Sequence, residues 1–280
     1  MSGTGVSPPD LRRTECANAI ARAERELGVR LDASRAVAKR RTWGAPSERG
    51  TWVRLQVWPA DHPAVERVPG VVAASALVRV PRPAWHRGVR WDADGLVWRA
   101  DELEFVAQPA VIPAGTLTAD PGLSDGWWRD LAWTLEAVAT TAVPLPQQTV
   151  TQQRFTDRIT MVFGSDVDTT VTAWGGIHGD MGFANLTAPE LVLLDWEEFG
   201  RGPVSLDHAR VWADSLAAPG VAQRCMAEFA PYLGSRQGLL CRAYCLVPLL
   251  ALPDSEPLSA PAEHAAEEVA AALRRSSSRR

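Results

Sequence analysis
Two carboxylates and one amide have the spacing that phosphoryl chemistry requires. In the stretch Ile177 to Ala209, His178-Gly179-Asp180 is followed by Asn185, five residues after the aspartate, and by Asp195, ten residues after the asparagine. The apolar run Leu191-Val192-Leu193-Leu194 leads directly into Asp195 and predicts a short buried strand between polar loops. Asp180 and Asn185 lie before it, in an irregular, glycine-containing loop. A loop and a strand end therefore deliver the three groups, the places where rigid scaffolds present reactive side chains. In phosphoryl transfer one carboxylate accepts a hydrogen bond from the attacking hydroxyl. A second carboxylate and a neutral amide oxygen hold magnesium against the nucleotide phosphates. Hard oxygen donors suit magnesium, and no Cys or His cluster accompanies them that would suit zinc.

The segment HGDMGFAN followed by LLDWEE resembles the aminoglycoside phosphotransferases and choline kinases, distant relatives of protein kinases. Protein kinases carry H-R-D-x-x-x-x-N and then D-F-G. Here Gly179 replaces the arginine and Asp195-Trp196-Glu197 stands where D-F-G would be, both as that group has them. The resemblance covers residues 30–215, thinly in the first part and well in the second. It implies a bilobal α+β, protein-kinase-like fold, with a small β-rich N-terminal lobe over residues 1–110 and a mainly helical C-terminal lobe over 111–280. It also implies transfer of the γ-phosphoryl group of ATP or GTP to a hydroxyl. Asp180 is then the catalytic base, Asn185 and Asp195 hold Mg2+, and His178 and Asp207 support the catalytic loop. The implied acceptor is a small molecule, an antibiotic or a metabolite, with antibiotic resistance one consequence. Glu197, Glu198 and Asp214 supply carboxylates for a cationic acceptor. Two alternatives stay open: a kinase of Ser or Thr in a natural-product precursor peptide, and a nucleotide-binding pseudokinase.

The nucleotide lobe departs from the pattern. Kinases of this kind place a Lys on the third strand against the α/β-phosphates, paired with a Glu on the following helix. In TWVRLQVWPADHPAVERV the position of the Lys is Arg54 and the Glu candidate is Glu66. Arginine carries a permanent charge and binds phosphate in bidentate fashion, with a bulkier planar fork. Lys39, the one lysine of the chain, lies on the neighbouring expected strand and is the competing anchor.

The elements that must position these residues follow from pattern. Leu11 to Leu27, rich in Ala, Arg and Glu, reads as a helix ended near Gly28. Strands are expected at Arg35–Trp43 and Thr51–Trp58, separated by Gly44–Gly50, a hairpin loop or a cover over phosphates that lacks the G-x-G-x-x-G spacing. Broken helix fits His62–Leu77, and two strands joined at Asp92–Gly95 fit Val80–Pro109, their Trp residues packing the sheet. Helices follow at Asp125–Ala142, with Trp127, Leu131, Leu135 and Val138 inward, and at Thr151–Phe163. Thr169–Trp174 reads as strand or solvated loop. Pro203–Leu216, Val221–Leu252 and Glu263–Arg275 complete a helical second half. Residues 1–9 and the terminal Ser/Arg tail read as disordered. A formal G-x-S-x-G at Gly122–Gly126 lacks the strand that a nucleophile elbow needs before Ser124.

Composition sets the outer bounds. With 280 residues, 46% of them hydrophobic and 22% charged, the chain can bury a sizeable core in one large or two small domains. A net charge of −4 gives no basic domain for nucleic acid. Four cysteines without a CxxC pair read as buried small hydrophobes. No signal-like segment opens the chain and no apolar run approaches the roughly 18 residues of a membrane span, so the expected compartment is the cytoplasm, without membrane partners.

Overall fold
The computed structural model describes residues 9–13 and 16–277. The expectations for residues 1–8 and 278–280 lie outside that range. The chain divides into two compact units. One comprises the chain up to Ser75 together with Pro83–Ala107, the other Ala76–Arg82 together with the chain from Gln108 onward.

The first unit holds α1 (Ala17–Leu27), β1 (Val37–Ala38), β2 (Thr42–Pro46), β3 (Thr51–Pro59), α2 (Gly70–Ala74), β4 (Trp85–Ala93) and β5 (Leu96–Glu104). Its sheet has the order β1-β2-β3-β5-β4, and every neighbouring pair is antiparallel. Period-two alternation along β3 sends Val53, Leu55 and Val57 into a core shared with Ala19, Ala23 and Leu27 of α1. Arg54 therefore takes the other face, with Gly44 and Asp101 as its cross-strand partners. The strand expected at Arg35–Trp43 is displaced. A 3-10 turn occupies Ala33–Arg35, and β2 starts at Thr42 and absorbs Gly44-Ala45-Pro46. A Cβ on Gly44 would lie 2.5 Å from the Trp52 ring, so glycine here lets the indole lie flat on the neighbouring strand. The hairpin turn contracts to Ser47–Gly50, closed by the Ser47 N–H donating to the Thr51 carbonyl at 2.7 Å. The β4–β5 hairpin turns at Asp94 and Gly95, both at positive φ, the geometry that matches strand twist. Trp91 and Trp98 stack across it at 6.3 Å, as sheet-packing aromatics do.

The second unit holds α3 (Asp125–Ala139), α4 (Gln152–Phe163), β6 (Trp174–Ile177), β7 (Gly200–Pro203), α5 (Leu206–Asp214), α6 (Pro219–Glu228), α7 (Ala230–Leu233), α8 (Arg236–Leu249) and α9 (Ser259–Ser277). Trp127, Leu131, Leu135 and Val138 of α3 are buried, as their spacing requires. Ser124 caps this helix, its Oγ accepting from the Trp127 N–H at 3.2 Å, which gives the formal G-x-S-x-G serine a structural occupation. Cys225, Cys241 and Cys245 are buried free thiols, and burial pushes Cys225 up to about 12 and Cys245 up to about 11. Thr169–Ala173 is irregular and strand begins only at Trp174. α9 runs through Ser277, into the stretch expected to be disordered. Among the described residues no helix is long and apolar enough to cross a membrane.

Candidate active site
The strands β6 and β7 form an antiparallel ribbon whose register pairs Ile177 with Gly200. Between them, residues 178–199 form one long connection held at both ends and interrupted only by 3-10 turns at Phe183–Asn185 and Trp196–Glu198. It contains His178, Asp180, Asn185 and Asp195. The strand expected at Leu191–Leu194 does not form. Its single ladder contact is the isolated bridge Leu186↔Leu193, made by Leu194 N–H on the Asn185 carbonyl and Thr187 N–H on the Val192 carbonyl, while Leu193 N–H turns away to the Pro81 carbonyl. Only Leu193 of the four is fully buried.

These displaced hydrogen bonds close a ring. The Asp180 N–H donates to His178 Nδ1 at 3.3 Å, so Nε2 carries the ring proton. His178 Nε2 donates in turn to the Leu194 carbonyl at 2.7 Å. The Leu194 N–H donates to the Asn185 carbonyl at 2.9 Å, and Asn185 Nδ2 returns to the Asp180 carbonyl at 2.7 Å. Leu194 is thus clamped on both backbone groups, and Asp195 follows it directly. Trp196 fixes the far side, with its ring edge-on to His178 at 4.7 Å and its Nε1 donating to the Leu193 carbonyl at 2.8 Å.

Below the ring stands Asp207 in the first turn of α5, 4% exposed. Its Oδ2 accepts from the His178 N–H at 2.6 Å and its Oδ1 from the Gly179 N–H at 3.1 Å. Burial pushes this carboxyl above the usual carboxylate range, against the pull of His178 and the two amides. Gly179 sits at φ 89°, and a Cβ there would lie 2.6 Å from the Glu198 carbonyl oxygen. The turn from His178 into Asp180 therefore has room only for glycine.

No family model matches the sequence, and no curated protein matches it either. Solved structures do match. A thermostable mutant of the aminoglycoside phosphotransferase APH(4)-Ia, in ternary complex with ADP and hygromycin B, aligns with a TM-score of 0.55 at 11% identity, over 91% of this chain and 98% of that one. Amicoumacin kinase hAmiN, in complex with AMP-PNP and Ca2+, aligns with a TM-score of 0.54 at 10% identity, over 92% and 96%. A choline/ethanolamine kinase family protein from Mesorhizobium loti aligns with a TM-score of 0.51 at 13% identity, over 91% and 93%. The chain has the fold of the aminoglycoside phosphotransferases and choline kinases.

Within this kinase-like fold the Asp180 carboxylate is the most open group of the ring, its side chain 56% exposed and 3.8 Å from Arg210 Nη1. Arg210 escaped the sequence reading, and so did the use made of Asp214, which had been weighed only for a cationic acceptor. Asp214 Oδ2 accepts from the Phe183 N–H at 2.7 Å, and burial and the nearby Asp180 charge both push its carboxyl up. The available signal was helical period: Asp207, Arg210 and Asp214 are three and four apart on α5 and present one face to the loop.

The donor set suits a hard cation. Asn185 spends its amide nitrogen on the Asp180 carbonyl, which leaves Oδ1 as a neutral oxygen donor, and the carboxylate of Asp195 follows Leu194, whose N–H the Asn185 carbonyl holds. Among the described residues no group of three or more His, Cys, Asp or Glu could hold a metal alone. A two-residue oxygen set matches magnesium, which keeps waters and takes its remaining ligands from phosphates.

In the first unit, Arg54 is half-buried on β3, on the sheet face opposite Val53 and Leu55. Lys39 is not within a strand. It follows β1 and opens the turn into β2, with its N–H on the Thr42 carbonyl at 2.8 Å and its side chain exposed. Glu66 ends a 3-10 turn at Pro63–Glu66 instead of sitting within a helix, and its carboxylate is 86% exposed and 3.9 Å from Arg90. So exposed a pair contributes little.

Proposed function
We propose that this chain is a phosphotransferase that moves the γ-phosphoryl group of ATP or GTP to a hydroxyl of a small molecule. The observation that carries this reading is the hydrogen-bonded ring through Asp180, His178, Leu194 and Asn185, which presents the open Asp180 carboxylate, leaves Asn185 Oδ1 unused and leads straight into Asp195. The fold shared with antibiotic and choline kinases supports it.

Asp180 is the proposed base. It accepts the hydrogen bond of the acceptor hydroxyl, orients a lone pair toward the phosphorus and takes the proton as the new bond forms. Asn185 Oδ1 and Asp195 are the proposed ligands of Mg2+. That ion, when bound, neutralises charge on the phosphate oxygens. Arg54 is the proposed phosphate contact. Hydroxyl acceptors of the size held by the antibiotic kinases fit the reading better than a peptide, since those neighbours carry small molecules in their structures.

The test is acceptor-dependent release of ADP or GDP, screened across aminoglycosides, nucleosides, amino alcohols and Ser/Thr peptides, for the native chain and for Asp180→Asn. Turnover should fall by about 10²–10⁴-fold in the variant. Folding should be intact, because the carboxylate is open and makes only a long contact to Arg210. Near-normal turnover by Asp180→Asn removes the residue from its role.

A further inference from the structure
Helix α5 has two working faces. Asp207, Arg210 and Asp214 face the catalytic loop, whereas Trp212 is turned about 200° from Asp214 by helical geometry. On that far side α5, α6, α8 and α9 line an open cavity of about 990 Å3. Its walls are apolar, with Trp212, Leu216, Met226, Ala265 and Ala272 among them, and Arg242 of α8 lies in its lining.

Arg242 is out of place there. The residue is 8% exposed, and its guanidinium is stacked 4.3 Å from the Trp212 ring centroid. Its Nε is buried with no hydrogen-bond partner, and no carboxylate among the described residues reaches it in an ion pair. Glu268, the acidic residue of the lining, acts on it only through space and makes its contact with His264, at 3.5 Å on the same face of α9. The other cation of the lining, Arg275, adds to the positive charge. A guanidinium nitrogen held out of water without an acceptor is costly, and burial already pushes Arg242 below its ordinary range. Stacking on Trp212 covers one guanidinium face and leaves the edge at Nε without an acceptor. That edge is a fork that matches two oxygens of a carboxylate or phosphate.

We propose that this cavity binds a small molecule whose apolar body lies against α6 and α9 and whose carboxylate or phosphate is held by Arg242. The site is separate from the catalytic loop and independent of the phosphotransferase reading.

Titration calorimetry on the full chain with benzoate, phenyl phosphate and benzyl alcohol tests it. An anionic probe should bind at least about tenfold more tightly than the neutral alcohol. Preference between the two anions tells carboxylate from phosphate. Arg242→Met, which keeps the stem against Trp212, should erase the anion preference without lowering the melting temperature, since it removes a buried charge that has no partner. Ala265→Phe, which drives a ring into the apolar wall and leaves Arg242 in place, should abolish binding of all three probes. Absence of binding to the native chain at millimolar probe, equal affinity for the three, an anion preference that survives Arg242→Met, or binding that survives Ala265→Phe would each overturn the proposal.

Discussion

Gly179→Ala would place a methyl group where the backbone leaves no room. At φ 89° an alanine is in left-handed territory, which costs about 1–2 kcal/mol for any L-residue with a Cβ. The new Cβ would also lie 2.6 Å from the Glu198 carbonyl oxygen, 3.0 Å from Glu198 Cβ and 3.1 Å from Thr149 Cγ2. The carbonyl cannot turn away freely, because it accepts the Thr149 hydroxyl at 2.8 Å. Relieving an overpacked contact of this kind costs about 1–3 kcal/mol. The expected total is about 2–5 kcal/mol, a large part of the stability of a typical domain. Gly115 provides the control. It has φ 84° and nothing within 4 Å of a built Cβ, so Gly115→Ala should lose only the conformational part, about 1–2 kcal/mol. Urea unfolding of both variants, at unchanged m, isolates the collision as the difference. Turnover should fall in Gly179→Ala as well, because residue 179 donates to Asp207 and carries Asp180. Equal losses of stability in the two variants would refute the claim that backbone crowding dictates glycine in the His-Gly-Asp turn.

Three further outcomes are expected. His208 is 1% exposed, stacked on Tyr232 at 3.9 Å with neither ring nitrogen hydrogen-bonded, and burial pushes its pKa down to about 3. Its folded value lies below the unfolded value, so between about pH 6.5 and 3 the unfolded chain binds a proton that the fold refuses. Stability present above that window is lost as pH falls, by up to about 5 kcal/mol, and His208→Leu should flatten the fall in denaturation midpoint; parallel pH profiles would contradict this. Asp195→Asn, chosen because asparagine tolerates the left-handed conformation at φ 64°, should weaken ATP binding at least about tenfold with Mg2+ and far less in chelator. Equal loss in both conditions would place the metal elsewhere. Arg54→Ala should weaken binding of a non-hydrolysable ATP analogue by about 10–100-fold, the worth of a charge-assisted hydrogen bond, and Arg54→Lys should keep part of the affinity. Lys39→Ala, on an exposed turn residue, should change it little, and a larger effect from Lys39 would overturn the assignment.

What could be read ahead of the structure depended on whether a role is carried by side chains in a local period. The alternation of Val53, Leu55 and Val57 is local, and it fixed the face that Arg54 takes. The Trp127–Val138 stripe is local too, and α3 buries it. The aspartate and asparagine spacing was legible because side-chain types and their order are what a sequence displays. The apolar run before Asp195 was misread as strand for the opposite reason. Its hydrophobicity is real, but its pairing stops at one bridge to the short segment Asn185–Thr187, with Leu193 N–H on the distant Pro81 carbonyl, and no residue type signals a carbonyl. The same holds for the ring that joins the site. Two of its four links end on the backbone of Leu194, a residue that any apolar side chain could replace in a sequence pattern. Lys39 was misplaced because the short β1 and its turn compress into residues that alternation alone reads as one strand. Arg210 and Asp214 were legible in principle, at three and seven residues from Asp207 on one helix face. Finding them requires taking Asp207 as the origin of the helical period, and that follows only once its carboxylate is known to hold the amides of His178 and Gly179. The backbone contacts that complete the loop are therefore also what pick out the face that α5 turns to it.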